Sequence, residues 1–226
     1  MLISIIGAHG TGKTTAISKL CSLLNAEGNA YIVINEIARH CPFPVGKSSS
    51  KVSQDWIIST QKYFEDNSLN IRCPVITDRN VIDQYAYYIY WVGENKAIED
   101  ELINRYSYYN NIFLMPLNPA YLVADGLRPT DPKFQEEINS IILHILDKLR
   151  IDVILFSENS INETVDIVRN YIPTVRNRKK ATKPKYNYNN KIFEKIILTN
   201  NLLLNNLLPE YFDEVFYKKV ILPRIQ

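Results

Sequence analysis

Glycine is scarce in this sequence. Seven occur in 226 residues, where the usual ~7% would give about 16, and three of them, Gly7, Gly10 and Gly12, sit within one short stretch. A chain so poor in flexible residues, with 46% apolar and 11% aromatic side chains, is neither disordered nor fibrous, and is long enough for one α/β domain and a short appendage. Cysteine is scarce too. Cys21, Cys41 and Cys73 are spaced too widely for a CxxC pair, which argues against a zinc site, and an odd number without a secretion leader predicts reduced thiols in a cytoplasmic protein. No apolar run approaches the ~18 residues of a membrane span, and the opening MLISII lacks a basic lead and runs straight into a glycine turn, so no membrane partner is expected. Nor is there an excess of one charge: 26 basic against 24 acidic residues leave +2, too little to argue for wrapping a polyanion.

What is present is an alternation of strand-like apolar runs with helix-period segments, the pattern of a parallel sheet with crossover helices. Residues 2–6, 30–34, 75–77, 111–115 and 151–156 read as five strands. Helices are expected over 13–25, after the Pro- and Ser-rich loop 41–51 with Val52, Trp56, Tyr63 and Phe64 on one face, and twice between 81 and 109 with a break near Gly93. A further helix starts at Asp131-Pro132, an Asp cap followed by Pro, and buries Phe134, Ile138, Ile141, Ile142, Ile145 and Leu149; a last one is opened by a Ser160/Glu163 capping box. The domain therefore spans 1–172. Residues 173–190 read as a basic linker, since RNRKKATKPK carries six basic groups and no acid, and 191–226 as a C-terminal helical extension.

The strongest motif is Gly7-Ala-His-Gly-Thr-Gly-Lys13-Thr14, a GxxxxGK[ST] loop between an apolar strand and a helix. Glycines there let successive amides point into one concavity at a helix N-terminus, where the dipole favours anions. Gly7, His9, Gly10, Thr11, Gly12, Lys13, Thr14 and Thr15 are the expected cradle for ATP, with Lys13 on the β and γ phosphates and Thr14 on Mg2+; His9 occupies a variable position and has no catalytic duty. The fold class this implies is a P-loop NTPase, a three-layer α/β/α sandwich around a five-stranded parallel sheet.

Three further elements belong at the same edge of such a sheet, where ligands gather. Asp78, ending the strand in VITDRN, is the expected partner of Thr14 on Mg2+, and Arg79 is expected to pair a phosphate or a substrate hydroxyl. Glu36, in NEIAR after the second strand, is placed to accept the proton of an attacking hydroxyl. Arg128, in ADGLRPTD, suits a lid that brings charge over a transferring phosphate. The aromatic run Tyr85, Tyr87, Tyr88, Tyr90, Trp91 is read mainly as core, although it could stack a base. Two absences narrow the chemistry. No NKxD occurs, which disfavours a GTPase, and Asp78 is followed by Arg79 rather than by a water-activating Glu, which favours transfer over hydrolysis.

With those residues in place the chain resembles the P-loop kinase family that includes the nicotinamide-riboside kinase domain of bifunctional bacterial NAD-biosynthesis regulators and its AAA-type ATP-binding relatives, and more distantly the deoxynucleoside and thymidylate kinases. The resemblance spans about 1–172 and is carried by GAHGTGKTT, NEIAR, ITDRNVIDQYAY and VADGLRPTDPKFQEEI. It implies ATP-dependent phosphorylation of a nucleoside- or nucleotide-like small molecule, with Glu36, Asp78, Arg79 and Arg128 in the roles given. The bifunctional relatives carry a nucleotidyltransferase domain ahead of the kinase; the first strand here begins at residue 2, and that activity is not carried over. Two other readings stay open: a nucleic-acid acceptor bound through 176–188, and a non-catalytic NTP-dependent switch whose C-terminal helices hold a partner or a second copy of the chain.

Overall fold

The computed structural model describes residues 1–69, 73–118, 131–176 and 197–199. Its centre is β1, Leu2–Ile6, in which every residue is buried. Alternate side chains of a strand point to opposite faces, and β1 divides accordingly: Leu2 and Ile6 join one apolar core, Ile3 and Ile5 another. The same alternation separates Ile32 and Ile34 from Val33 in β2, Ile32–Ile34, and Val75 from Ile76 in β3, Val75–Asp78. In β4, Asn111–Leu114, Phe113 faces away from Ile112 and Leu114.

Helices cover both faces. α1, Lys13–Ala26, and α6, Glu158–Arg176, pack over the Ile3/Ile5 side through Ala16, Ile17, Leu20, Ile161, Val165 and Val168. On the other side lie α2, Lys51–Ser68, α3, Val81–Val92, and α5, Pro132–Leu149, with α4, Lys96–Arg105, behind them. The strand order is β5-β4-β1-β3-β2-β6, β5 being Ile154–Leu155 and β6 Ile197–Thr199. β1 to β5 run parallel, in the expected three-layer arrangement. β1 lies between β3 and β4, so the order reverses beside it, and the crevice at the carboxyl ends of these strands is where such sheets take ligands.

Helix starts follow local chemistry. Ser50 and Ser53 form a capping box on α2, Asn80 and Asp83 another on α3, and Asp131 caps α5 ahead of Pro132, as the sequence predicts. Elsewhere the structure corrects the reading. α6 begins at Glu158, two residues before the expected cap, and the Ser160 hydroxyl turns back to accept the Ser157 amide at 3.0 Å. The helix also continues through Arg176, past residue 172. Val52, expected on the buried face of α2 with Trp56, Tyr63 and Phe64, is 45% exposed while those three are buried. Residues 197–199, expected to be helical, pair antiparallel with β2 as a sixth strand. The rest of 191–226 and all of 177–190 lie outside the described residues.

Candidate active site

The loop after β1 is shaped by left-handed glycines. Gly10 and Gly12 have φ of 66° and 86°, and Gly7 has φ of 140°. A Cβ on Gly7 would sit 3.2 Å from both the Cβ and the carbonyl oxygen of Met115, so this position needs glycine for space as well as for conformation. The loop is tied down from within: the Thr11 hydroxyl donates to the Ala8 carbonyl at 2.9 Å, and Lys13 Nζ donates to the carbonyls of Gly7 and Ala8 at 2.9 and 2.5 Å. It is also tied to α3, where Asp83 Oδ2 accepts the Gly7 amide at 3.2 Å. α1 follows with Gly12 at its cap, no side-chain cap and no acidic residue in its first turn. Its positive end is left to an anion.

At the start of α1 the Thr14 hydroxyl donates to Asp78 Oδ2 at 2.7 Å. The contact follows from the sheet, because Asp78 pairs in register with Ile5 on the neighbouring strand. Asp78 Oδ1 is buried with no hydrogen-bond partner. An unpartnered carboxylate oxygen beside a threonine hydroxyl fits Mg2+, which takes one or two protein oxygens and completes its shell with water and phosphate. No cluster of three or more His, Cys, Asp or Glu that could cage a metal occurs among the described residues.

Glu36 and Arg79 meet nearby. Glu36, just beyond β2, is 4% exposed. Its Oε1 accepts Arg79 Nε at 2.8 Å and its Oε2 accepts Arg39 Nε at 3.0 Å. Arg79 is 1% exposed and spends the rest of its fork on protein: Nη1 donates to the Gly7 carbonyl at 2.9 Å and to Asp83 at 3.0 Å, and Nη2 to the Tyr87 hydroxyl at 3.2 Å. Its guanidinium also stacks over the Tyr87 ring, 4.9 Å from the centroid. Arg79, expected to pair a phosphate or a substrate hydroxyl, is thus a buried clamp joining the loop, β2 and α3. Its backbone φ of 79° is a conformation that non-glycine residues adopt at a cost, held here by the Arg79 amide bond to the Ile5 carbonyl at 3.0 Å and the forked contacts.

The Tyr87 hydroxyl accepts the His9 amide at 3.0 Å and lies 3.3 Å from His9 Nδ1. Burial pushes this phenol above its ordinary pKa, so it stays neutral. Gln135 of α5 donates to the His9 carbonyl at 2.6 Å, and the His9 ring packs on Phe134 at 4.8 Å. His9, variable in the loop motif, therefore joins the loop to both helices.

Beside these groups opens a cleft lined by Glu36, Arg39, Arg79 and His9, by Tyr87, Trp91 and Phe134, and by Gln54 and Gln84. Of the aromatic run in α3, Tyr85 and Tyr88 are core, whereas Tyr87 and Trp91 face the cleft. Sequence reasoning missed Asp83, Gln54 and Gln84. Asp83 had a signal, the Asn-x-x-Asp spacing of a capping box one helical turn beyond Arg79; the glutamines had none. Arg128 lies outside the described residues, as do 177–188 and therefore nearly all of the basic run. Among the described residues no helix is long and apolar enough to cross a membrane.

An AAA-domain family model matches residues 2–163. The chain belongs to that family. Among solved structures this AAA-domain protein is similar to deoxyadenosine kinase from M. mycoides with dCMP and a flexible dCDP bound, at 12% identity and a TM-score of 0.50 over 77% of this chain and 100% of that one. The YorR protein of Bacillus subtilis, in complex with phosphorylated GDP, aligns at 12% identity and a TM-score of 0.49 over 80% of this chain and 100% of its own. The first likeness shows a shared P-loop kinase fold. No curated protein matches the chain significantly.

Proposed function

We propose that the protein is a kinase that transfers the γ-phosphoryl group of ATP to a hydroxyl of a nucleoside- or nucleotide-like small molecule. One observation carries the reading: the buried Glu36 carboxylate lines the cleft and is linked through Arg79 to the Gly7 carbonyl of the phosphate loop. An acceptor in the cleft and a triphosphate on the loop would meet there. The deoxynucleotides in the M. mycoides kinase support an acceptor of that class.

The work is chiefly positioning and charge compensation. Loop amides and the α1 N-terminus receive the phosphates, and Lys13 exchanges its carbonyl partners for phosphate oxygens. Thr14 and Asp78 would hold Mg2+, which would supply positive charge to offset that of the phosphates. Glu36 takes the proton of the acceptor hydroxyl as the hydroxyl oxygen bonds to the γ phosphorus and the bond to the β-bridging oxygen breaks, leaving ADP. Arg79 positions Glu36, and Arg128 is proposed to supply charge to the transferring group.

The test is transfer of label from γ-labelled ATP to a panel of nucleosides, nucleotides and oligonucleotides. A nucleoside or nucleotide product is expected. Glu36→Gln should lower kcat about 100-fold or more with little change in the KM for ATP. Labelled product with no member of the panel would overturn the reading.

A further inference from the structure

The Tyr87 hydroxyl meets three nitrogen atoms at once. It accepts the His9 amide at 3.0 Å and Arg79 Nη2 at 3.2 Å, and it lies 3.3 Å from His9 Nδ1. Burial raises the pKa of this phenol, so the oxygen keeps its hydrogen. With two N–H groups on its lone pairs, the oxygen has that one hydrogen left to donate, and among the described residues the acceptor in reach is His9 Nδ1. The network therefore fixes the tautomer of His9: a ring nitrogen that accepts carries no hydrogen, so the ring hydrogen belongs on Nε2.

His9 is held by its amide, its carbonyl and its ring. Tyr87 ties the amide and the ring to α3, the carbonyl accepts Gln135 of α5 at 2.6 Å, and the ring packs on Phe134 at 4.8 Å. The neighbours of His9 make this hold matter. Gly7, Gly10 and Gly12 fall close together, and glycine loses more freedom on ordering than any other residue, so a loop of this composition, untethered, would bear that entropic cost when a phosphate bound. Here folding has already met it. Arg79, which holds the hydroxyl, also donates to the Gly7 carbonyl, so the start of the loop and His9 are set by the same guanidinium. We propose that Tyr87 is a positioning residue for the nucleotide, whose hydroxyl presets the phosphate loop by pinning His9 through its amide and its ring. The inference rests on the loop as a nucleotide site, which the kinase reading shares, and is tested without transfer.

Tyr87→Phe removes the hydroxyl and keeps the ring that stacks on Arg79. Calorimetric titration with the β,γ-imido analogue of ATP and Mg2+, well below the melting temperature, should show affinity reduced about tenfold. His9→Leu keeps the backbone half of the hold and should cost about threefold, and the double variant should lose less than the product of the two, because both act on one contact. Nitrogen NMR of the His9 ring should find the hydrogen on Nε2 in the wild type and shared between the two nitrogens in Tyr87→Phe. That variant also leaves two N–H donors without their acceptor, so its melting temperature should fall. Leu102→Ala separates the two effects: it opens a cavity in the core under α4, lowers the melting temperature and should keep wild-type affinity for the analogue. The proposal is overturned if Tyr87→Phe binds the analogue as tightly as the wild type, if Leu102→Ala loses affinity to the same extent, if the losses in the double variant multiply in full, or if the wild-type hydrogen sits on Nδ1. A wild-type protein that does not bind the analogue would overturn this inference and the kinase reading together, whereas binding that depends on Tyr87, with no label transfer to any acceptor, would sink the kinase reading alone.

Discussion

Gly7 is gripped on both sides of its peptide: Asp83 accepts its amide, while Arg79 and Lys13 donate to its carbonyl. With φ at 140° and Met115 against the missing Cβ, Gly7→Ala should cost about 1–3 kcal/mol of stability and weaken ATP binding at least tenfold; thermal melts and nucleotide titration check the two effects. At this scale the sequence was readable where a residue belongs to a motif. Gly7, Lys13, Thr14 and Asp78 lie together at the carboxyl edge because the loop and the strand ends put them there. The enclosure of Arg79 was not legible, because a motif shows that an arginine follows the strand, not that its fork is surrounded by Glu36, Asp83 and Tyr87. Gln54 and Gln84 were invisible, since the cleft they line exists only once the surrounding helices have closed around it.

At the scale of elements, α2, α3, α4 and the entry to β4 are joined through one carboxylate. Glu65, fully buried, accepts from Gln61 and the Val81 amide at 3.0 Å each, from Arg105 at 3.2 Å and from the Tyr109 hydroxyl at 2.6 Å. Burial raises the carboxyl's pKa, and Arg105 is the leading influence that pulls it back. Arg105→Met should therefore destabilise the protein by about 3 kcal/mol near pH 7. Without its cation the carboxyl titrates higher in the folded than in the unfolded chain, so the variant loses stability as pH rises above about 4.5. Melting temperatures compared at pH 4 and pH 8 should show a small deficit at the first and a large one at the second. Such pairings between distant segments leave no trace in local periodicity, which did locate the helices: Phe134, Ile138, Ile142 and Ile145 of α5 are buried as their spacing requires. Periodicity failed at margins, as with Val52 and the start of α6, where a neighbouring hydroxyl or an edge of the packing decides.

Across the whole molecule, five parallel strands were legible from alternating apolar runs, but the sixth was not. Ile197–Thr199 is short and follows a polar stretch, and what makes it a strand is the open edge of β2, which lies far away in the sequence. A chain ending at Arg176 should retain a cooperative melt, since among the described residues both cores are built from positions before that point, while the amides of β2 lose protection against hydrogen exchange. The pairing of Ile5 with Asp78 has another consequence. In a sheet buried on both faces, a slip of β3 by one residue would exchange the side chains of its two cores, and the same slip would draw Asp78 away from Thr14. The chemistry and the hydrophobic interior thus share one register, so folding proofreads the site: a molecule that has packed its core has already placed its carboxylate.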